Sequence, residues 1–302
     1  MKNFIGCRAM PDLIYHSPDN IDSLMSFLQT SKQEGRKNVK IVAGCTDFVP
    51  AVRTGRWTFE AGVNIVDIKK IKDLNYIKQE EGLIKIGACT CLTRIFESPK
   101  VLEHAKVLSQ AVGQMASLQV RNTATIGGNL CMSSPAADTA PVLLALGARV
   151  TLQDPSGKQE IELRDFFTGP GQNVLKSDQI LTQISFPAQK AHEAAHFLKI
   201  GTRTAVIISV VSVAVGMGIK KGICENPKIC LGSVGPTPIQ VEKAEKFLHN
   251  KFLDDQTIDA CAKIVSQEIS PITDLRASKE YRKDMAATLV KRAILACRKE
   301  MK

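Results

Sequence analysis

The sequence predicts an α+β fold: two subdomains, followed by a C-terminal three-strand, three-helix α+β domain. Three observations carry that expectation. Strand and helix signals alternate through the first 68 residues, as parallel pairing requires. From Asp73 onward, apolar runs come in pairs around turn residues, as in antiparallel hairpins. After residue 194, three strand-like runs precede three helix-like ones.

Leu13-Ile14-Tyr15 reads as an opening strand. Asp22 to Thr30 reads as a helix, because Leu24, Met25, Phe27 and Leu28 recur at helical spacing. Val39 to Val42 is the next strand, Phe48 to Arg53 a helix beyond a glycine turn, and Asn64 to Ile68 a third strand. Asn75 to Gln79 and Leu83 to Gly87 flank Glu80-Glu81-Gly82 as a hairpin, and Leu92 to Phe96 and Val101 to Met115 are helical. Thr125 to Pro141 reads as a long glycine-containing loop running into a helix that starts at Asp138 and continues through Leu146. Arg149 to Leu152 and Gln159 to Leu163 form a second hairpin around Asp154-Pro155-Ser156-Gly157, and Gln179 to Phe186 is a strand.

Ala188 to Glu193 is the expected linker. Strands follow at Ala195 to Ile200, Val206 to Val215 and Lys228 to Val234, then helices at Ile239 to Leu248, Asp255 to Val265 and Ser278 to Arg298. These signals divide the chain into 1–187, with subdomains near 1–68 and 69–187, and 194–302.

Composition narrows the function classes. At 302 residues, 44% hydrophobic and 23% charged, the chain is an ordinary globular one with room for several cores. One Trp and three Tyr leave few stacking platforms for single-stranded nucleic acid. Of the net charge of +10, Arg276 to Lys302 supplies nine Lys or Arg against three Asp or Glu, so the excess is concentrated on one terminal helix. No nucleic-acid-binding motif accompanies it, which favours a solvated or partner-facing helix and no nucleic acid. The nine cysteines include no Cys-x-x-Cys pair, so no metal site is expected on this chain. Their odd number and the lack of an apolar leader point to a cytoplasmic location. The apolar stretch from Ala205 to Met217 is too short to span a bilayer and reads as a buried strand, with no membrane insertion.

Two segments carry chemistry. Ile41-Val42-Ala43-Gly44-Cys45-Thr46-Asp47 is a short apolar strand turning through Gly44 into a helix. Thr125-Ile126-Gly127-Gly128-Asn129 leads through Ser133-Ser134-Pro135 to Asp138 and a second helix. Glycine lets the backbone approach a bulky ligand, and helix starts present unpaired N–H groups, so two such turns suit a ligand with two phosphates. A turn glycine is the ordinary reading of each alone, as an N-cap is of Asp138 and an exposed strand end of Lys199 and Arg203. No Gly-x-Gly-x-x-Gly or P-loop pattern is present.

The two segments together resemble the FAD-binding subunit of the molybdenum hydroxylases, the xanthine, carbon monoxide and nicotinate dehydrogenase group. Its signatures are an Ala-Gly-Gly-Thr-Asp loop and a Thr-Ile-Gly-Gly-Asn loop that runs through Ser-Pro to an Asp. The likeness continues in order through Phe197 to Arg203, Val211 to Ala214, Gly232 to Pro238 and Ile272 to Arg282. It implies a two-subdomain PCMH-type FAD-binding fold followed by a C-terminal flavoprotein domain of the carbon monoxide dehydrogenase type. It implies FAD contacts from Ile41 to Asp47, Thr125 to Asn129, Ser133, Asp138, Leu181 (through its backbone) and Lys199, with no catalytic residue on this chain. Asp138 would meet the ribityl or phosphate region, where a carboxylate suits hydroxyls better than phosphate oxygens. Lys199 would favour a reduced, anionic flavin. The resemblance further implies 2Fe–2S clusters on a small partner subunit, molybdopterin on a large one, and an external acceptor such as NAD or ferredoxin. A stand-alone flavin oxidase or reductase of the same fold is the alternative. Two departures stand out: Cys45 replaces the usual second glycine, where φ > 0 is costly, and Ile207-Ile208 occupies a place where relatives often carry an acid.

Overall fold

The computed structural model describes residues 10–59, 62–203 and 206–301. Cys7, Lys302 and the Ala205 end of the apolar stretch lie outside them. Three main sheets and a two-stranded ribbon organise the chain.

The first sheet comes from β1 (Leu13–His16), β2 (Val39–Val42) and β3 (Val63–Asp67), joined by α1 (Ile21–Gln33) and α2 (Phe48–Arg53). Asn20 and Ser23 form a capping box that starts α1. Leu24, Met25 and Leu28 on that helix share a core with Val66 and Ile68. The strands run parallel in the order β1-β3-β2, so their C-terminal ends lie together, and the loop leaving β2 there is 43–47. Ligands bind off that end of open parallel sheets.

The second sheet is antiparallel. The hairpin β4 (Ile77–Glu80) and β5 (Leu83–Gly87) is followed by α3 (Leu92–Phe96), α4 (Pro99–His104), α5 (Lys106–Gly113), α6 (Leu118–Arg121), α7 (Ile126–Cys131) and α8 (Thr139–Ala145). Next come β6 (Arg149–Asp154), β7 (Gly157–Glu162), the ribbon β8 (Phe167–Gly169) with β9 (Gln172–Asn173), and β10 (Ile180–Pro187). The order is β4-β5-β10-β6-β7.

Two expectations fail here. The helix from Val101 to Met115 breaks at Ala105 (φ −158°, ψ 47°). Val101, Ala105 and Leu108 keep helical spacing across the break, so periodicity could not reveal it. The long glycine loop contains α7, which runs through Gly127 and Gly128. Thr125 caps it by accepting from the Gly128 N–H at 3.1 Å, and the fully buried Ile126 and Leu130 offset the roughly 1 kcal/mol that each helical glycine costs.

The third sheet, in order β11 (Glu193–Ile200), β12 (Val211–Lys220), β13 (Ile223–Gly232) and β14 (Ile239–Gln240), is antiparallel. It is followed by α9 (Glu242–Leu248), α10 (Asp255–Glu268) and α11 (Lys279–Glu300). Strand alternation decides what each face meets. Phe197, Ala214 and Cys230 join the core of the second sheet, with α8 packed on β12 and β13, while Val213, Val215, Ile229 and Leu231 join the core built with α10 and α11.

Three further corrections follow. The strand expected from Val206 begins at Val211, because Val206 takes a φ of 49° and Ser209 turns inward. Ile239–Gln240 pairs with Cys230 and Leu231 as a fourth strand, so the next helix starts only at Glu242. The supposed linker is anchored: the N–H groups of Ala188 and Gln189 donate to the carbonyls of Gly82 and His104, and Glu193 already lies in β11. Among the described residues no helix is long and apolar enough to cross a membrane.

Candidate functional site

A cleft of 220 Å³ opens between the β2–α2 loop and the segment through α7. Its walls are Lys40 to Phe48 with Trp57 on one side, and Ala124, Thr125, Gly128, Asn129, Cys131 and Met132 on the other. The two signature segments, about eighty residues apart in sequence, therefore face each other.

The glycines do different work. A Cβ on Gly44 would stand 2.3 Å from the Thr123 carbonyl oxygen and 2.9 Å from the Ala124 Cα, so the two walls touch backbone to backbone only because residue 44 is glycine. A Cβ on Gly127 would meet the Ala88 side chain at 2.6 Å and its carbonyl oxygen at 2.7 Å; this glycine seats α7 on the second sheet. Gly128 is exposed to the cleft, and a Cβ there would approach only Thr125 Oγ1, at 2.9 Å.

Donor supply is also uneven. In the second segment the N–H groups of Ile126, Gly127, Gly128 and Asn129 are spent on Thr90 O, Ala88 O, Thr125 Oγ1 and Thr125 O. In the first, the N–H groups of Gly44, Cys45, Thr46 and Asp47 have no acceptor among the described residues. Cys45 has a φ of 54°, a left-handed turn that points successive N–H groups to one side as an anion-binding concavity. The first loop is thus the donor wall and the glycine pair of the second is a smooth one. Lys40 adds a cation to the lining, its Nζ 5.9 Å from the Phe59 ring centroid. Burial raises the Cys45 thiol pKa and pushes that of Cys131 up to about 12, so neither sulfur sets a negative charge against a phosphate. These features fit a diphosphate-bearing ligand.

A second group lies where α8 meets the third sheet. Asp138 does not cap α8 with its side chain: one carboxylate oxygen accepts from Lys199 Nζ at 2.8 Å and the other from Ser209 Oγ at 2.6 Å. Lys199 Nζ also donates to the Gln114 carbonyl at 2.8 Å. Both side chains are buried, 6% exposed for Asp138 and 7% for Lys199, so Lys199 is no solvated strand end. Burial raises the Asp138 pKa, while the Lys199 ammonium and the Ser209 hydroxyl oppose the rise. Arg203 donates to the Val206 carbonyl within its own loop.

Of the remaining candidates, Ile126, Gly127, Ser133 and Leu181 sit apart from the cleft lining, while Asn129 belongs to it. Ser133 is buried at a φ of 46°, and its hydroxyl is used by the Leu130 carbonyl and Asn173 Nδ2. Leu181 is 3% exposed in the core of the second sheet, beside the bulge between Leu181 and Gln183. Asn129 Oδ1 accepts from Thr139 Oγ1 at 2.5 Å, tying α7 to α8. Sequence reasoning missed Lys40, Phe48, Trp57, Ala124, Cys131 and Met132 in the lining. Lys40 directly precedes the signature run, and Trp57 is the chain's single tryptophan, so both were open to suspicion.

The family model described as the FAD binding domain in molybdopterin dehydrogenase matches residues 8–189, and that of the CO dehydrogenase flavoprotein C-terminal domain matches residues 196–297. The chain belongs to the FAD-binding subunits of the molybdenum hydroxylases. It is similar to the nicotinate dehydrogenase FAD-subunit of Eubacterium barkeri, 32% identical over 289 residues that cover 94% of this chain and 95% of that one. It is 31% identical to the xanthine dehydrogenase FAD-binding subunit of Escherichia coli O157:H7, covering 93% and 94% of the two chains. Its structure matches a chain of the carbon monoxide dehydrogenase of Hydrogenophaga pseudoflava at a TM-score of 0.91 and 27% identity, covering 97% of this chain and 99% of that one. As an FAD-binding oxidoreductase subunit, the molecule places one signature loop of its family on each side of a single cleft.

Proposed function

We propose that this subunit passes electrons, through its FAD, from the iron–sulfur clusters of a small partner subunit to an external acceptor such as NAD or ferredoxin. A large molybdopterin subunit of the same cytoplasmic complex oxidises the organic substrate. The observation that carries the reading is the cleft lined by the 44–47 loop, whose N–H groups are free, and by Gly128, with the two walls brought together at Gly44. FAD, when bound, supplies chemistry that links one-electron and two-electron carriers. The N–H groups of Gly44 to Asp47 and the Lys40 ammonium bind the diphosphate, Ile41 to Ala43 back that loop, and Thr125 to Asn129 form the opposite wall. Asp138 and Lys199 lie toward the flavin end, Leu181 offers its backbone, and Ser133 shapes the turn after α7. The FAD-binding part spans 1–187 and the C-terminal flavoprotein part 194–302.

The test is purification from the native host, followed by an absorption spectrum and identification of the co-purifying chains. Oxidised-flavin bands together with a small iron–sulfur chain and a large molybdenum chain are expected. A colourless protein running alone sinks the reading. Isolated, FAD-loaded chain should show diaphorase activity at most; turnover of a small organic substrate would favour a stand-alone flavin enzyme instead.

A further inference from the structure

Among the described residues the largest fully buried side chain is a charged one, Arg282 on α11. Its Nη1 donates to the carbonyls of Val210 at 2.6 Å and Ser233 at 2.9 Å, and its Nη2 to Asp274 Oδ1 at 2.8 Å. Val210 and Ser233 adjoin the ends of β12 and β13, just beyond the cross-strand pair Ser212–Gly232. The guanidinium therefore pins the open ends of two neighbouring strands. From there the hydrogen bonds continue without a gap. Ser233 Oγ donates to the Ser209 carbonyl at 2.9 Å, and the Ser233 N–H donates to the Pro135 carbonyl at 2.8 Å. Ser209 Oγ donates to Asp138, and Asp138 accepts from Lys199.

A buried ion pair is weak evidence of stabilisation, since desolvation offsets much of its attraction; a role in specifying geometry is the better-attested reason to keep one. Here the geometry concerns a single carboxylate. Asp138 has two oxygens, and with Ser209 holding one, the other is fixed toward Lys199 Nζ. Without Ser209 the carboxylate is free to turn in its pocket, and the ammonium loses its alignment.

We propose that Ser209, Ser233 and Arg282 are positioning residues for the Asp138–Lys199 pair, so that the C-terminal helix sets the place of a buried ammonium next to the flavin end of the cleft. The inference rests on the reading that Asp138 and Lys199 face the flavin. On that reading, removing the Lys199 charge lowers the midpoint potential of the bound flavin, because a positive charge favours the reduced anion. Loss of the Ser209 hydroxyl acts in the same direction through Lys199.

The experiment measures the flavin midpoint potential and the FAD dissociation constant in the full FAD-loaded chain, for Lys199→Met, Ser209→Ala, Ser209→Thr and the double variant. Lys199→Met is expected to lower the potential and weaken FAD binding about tenfold, the scale of one lost charge-assisted hydrogen bond. Ser209→Ala should shift both quantities the same way by less, and Ser209→Thr should restore them. Ser209→Ala should add nothing once Lys199 is gone, since coupled residues are non-additive. If Lys199→Met shifts the potential while Ser209→Ala leaves it unchanged, or if the two shifts add, the positioning role is wrong. If Lys199→Met itself moves neither quantity, the flavin-side reading of the pair falls first and the inference falls with it.

Discussion

Cys45 holds a left-handed backbone that a glycine would adopt without strain, at the one place where the chain departs from its family's first signature. The turn lies where residues 44–47, whose N–H groups have no acceptor among the described residues, line the cleft. Cys45→Gly should therefore leave FAD binding intact and stabilise the protein by about 1 kcal/mol, read as a higher denaturant midpoint. A lower midpoint would mean that the half-buried cysteine side chain contributes more than the strain costs. Gly44 and Gly128 should separate by phenotype. Gly44→Ala drives a methyl into the Thr123 carbonyl and should cost about 2 kcal/mol or more, with loss of FAD. Gly128→Val points into the cleft and should abolish FAD retention while the protein remains folded by circular dichroism. Retained FAD at normal occupancy would contradict the cleft geometry.

At α11 and the loop before it, part of the local excess of positive charge goes into packing and pairing. Arg282 is buried, Arg298 pairs with Asp255 at 3.0 Å, and Lys291 pairs with Asp259. Asp274 anchors the loop by accepting from the N–H groups of Arg276 and Ala277 and from Arg282. Burial alone would raise its pKa, but those donors together hold the carboxyl below the usual carboxylate range. A depressed carboxyl contributes stability above its unfolded pKa and loses it as pH falls through the folded one. The stabilising share of Asp274 is thus present at neutral pH and fades below about pH 4. Asp274→Asn should be less stable than the native chain at pH 7, with the difference shrinking as the pH drops below 4. A pH-independent difference in thermal midpoint would sink this account.

Across the entire chain, the cleft depends on the first and second sheets staying together, and Trp57 reports on it directly. Because Trp57 is the single tryptophan and lines the cleft, its fluorescence should be quenched as FAD is titrated into apoprotein, with one binding isotherm. Lys40→Ala should weaken that isotherm by about tenfold, by loss of a cation at the diphosphate. Unquenched fluorescence at full FAD occupancy would put the cofactor somewhere else.

Periodicity and turn residues were enough to recover β2 and α2 with their bounds and both hairpins, because these depend on neighbours within a few positions. The two signature loops were legible for the same reason. The alternation of strand and helix signals gave the parallel character of the first sheet, since a crossover helix returns the chain in the same direction. What escaped depended on contacts distant in sequence. Ile126 and Leu130 pull a glycine pair into α7 only because a core awaits them, and Ala105 breaks a helix whose apolar spacing runs on unbroken. Lys199 becomes a buried partner of Asp138 because β11 turns that face toward α8, 61 positions back along the chain. Local pattern could name both residues as candidates, but the pairing of one with the other, and of both with Ser209 and Arg282, exists only once three sheets are packed together.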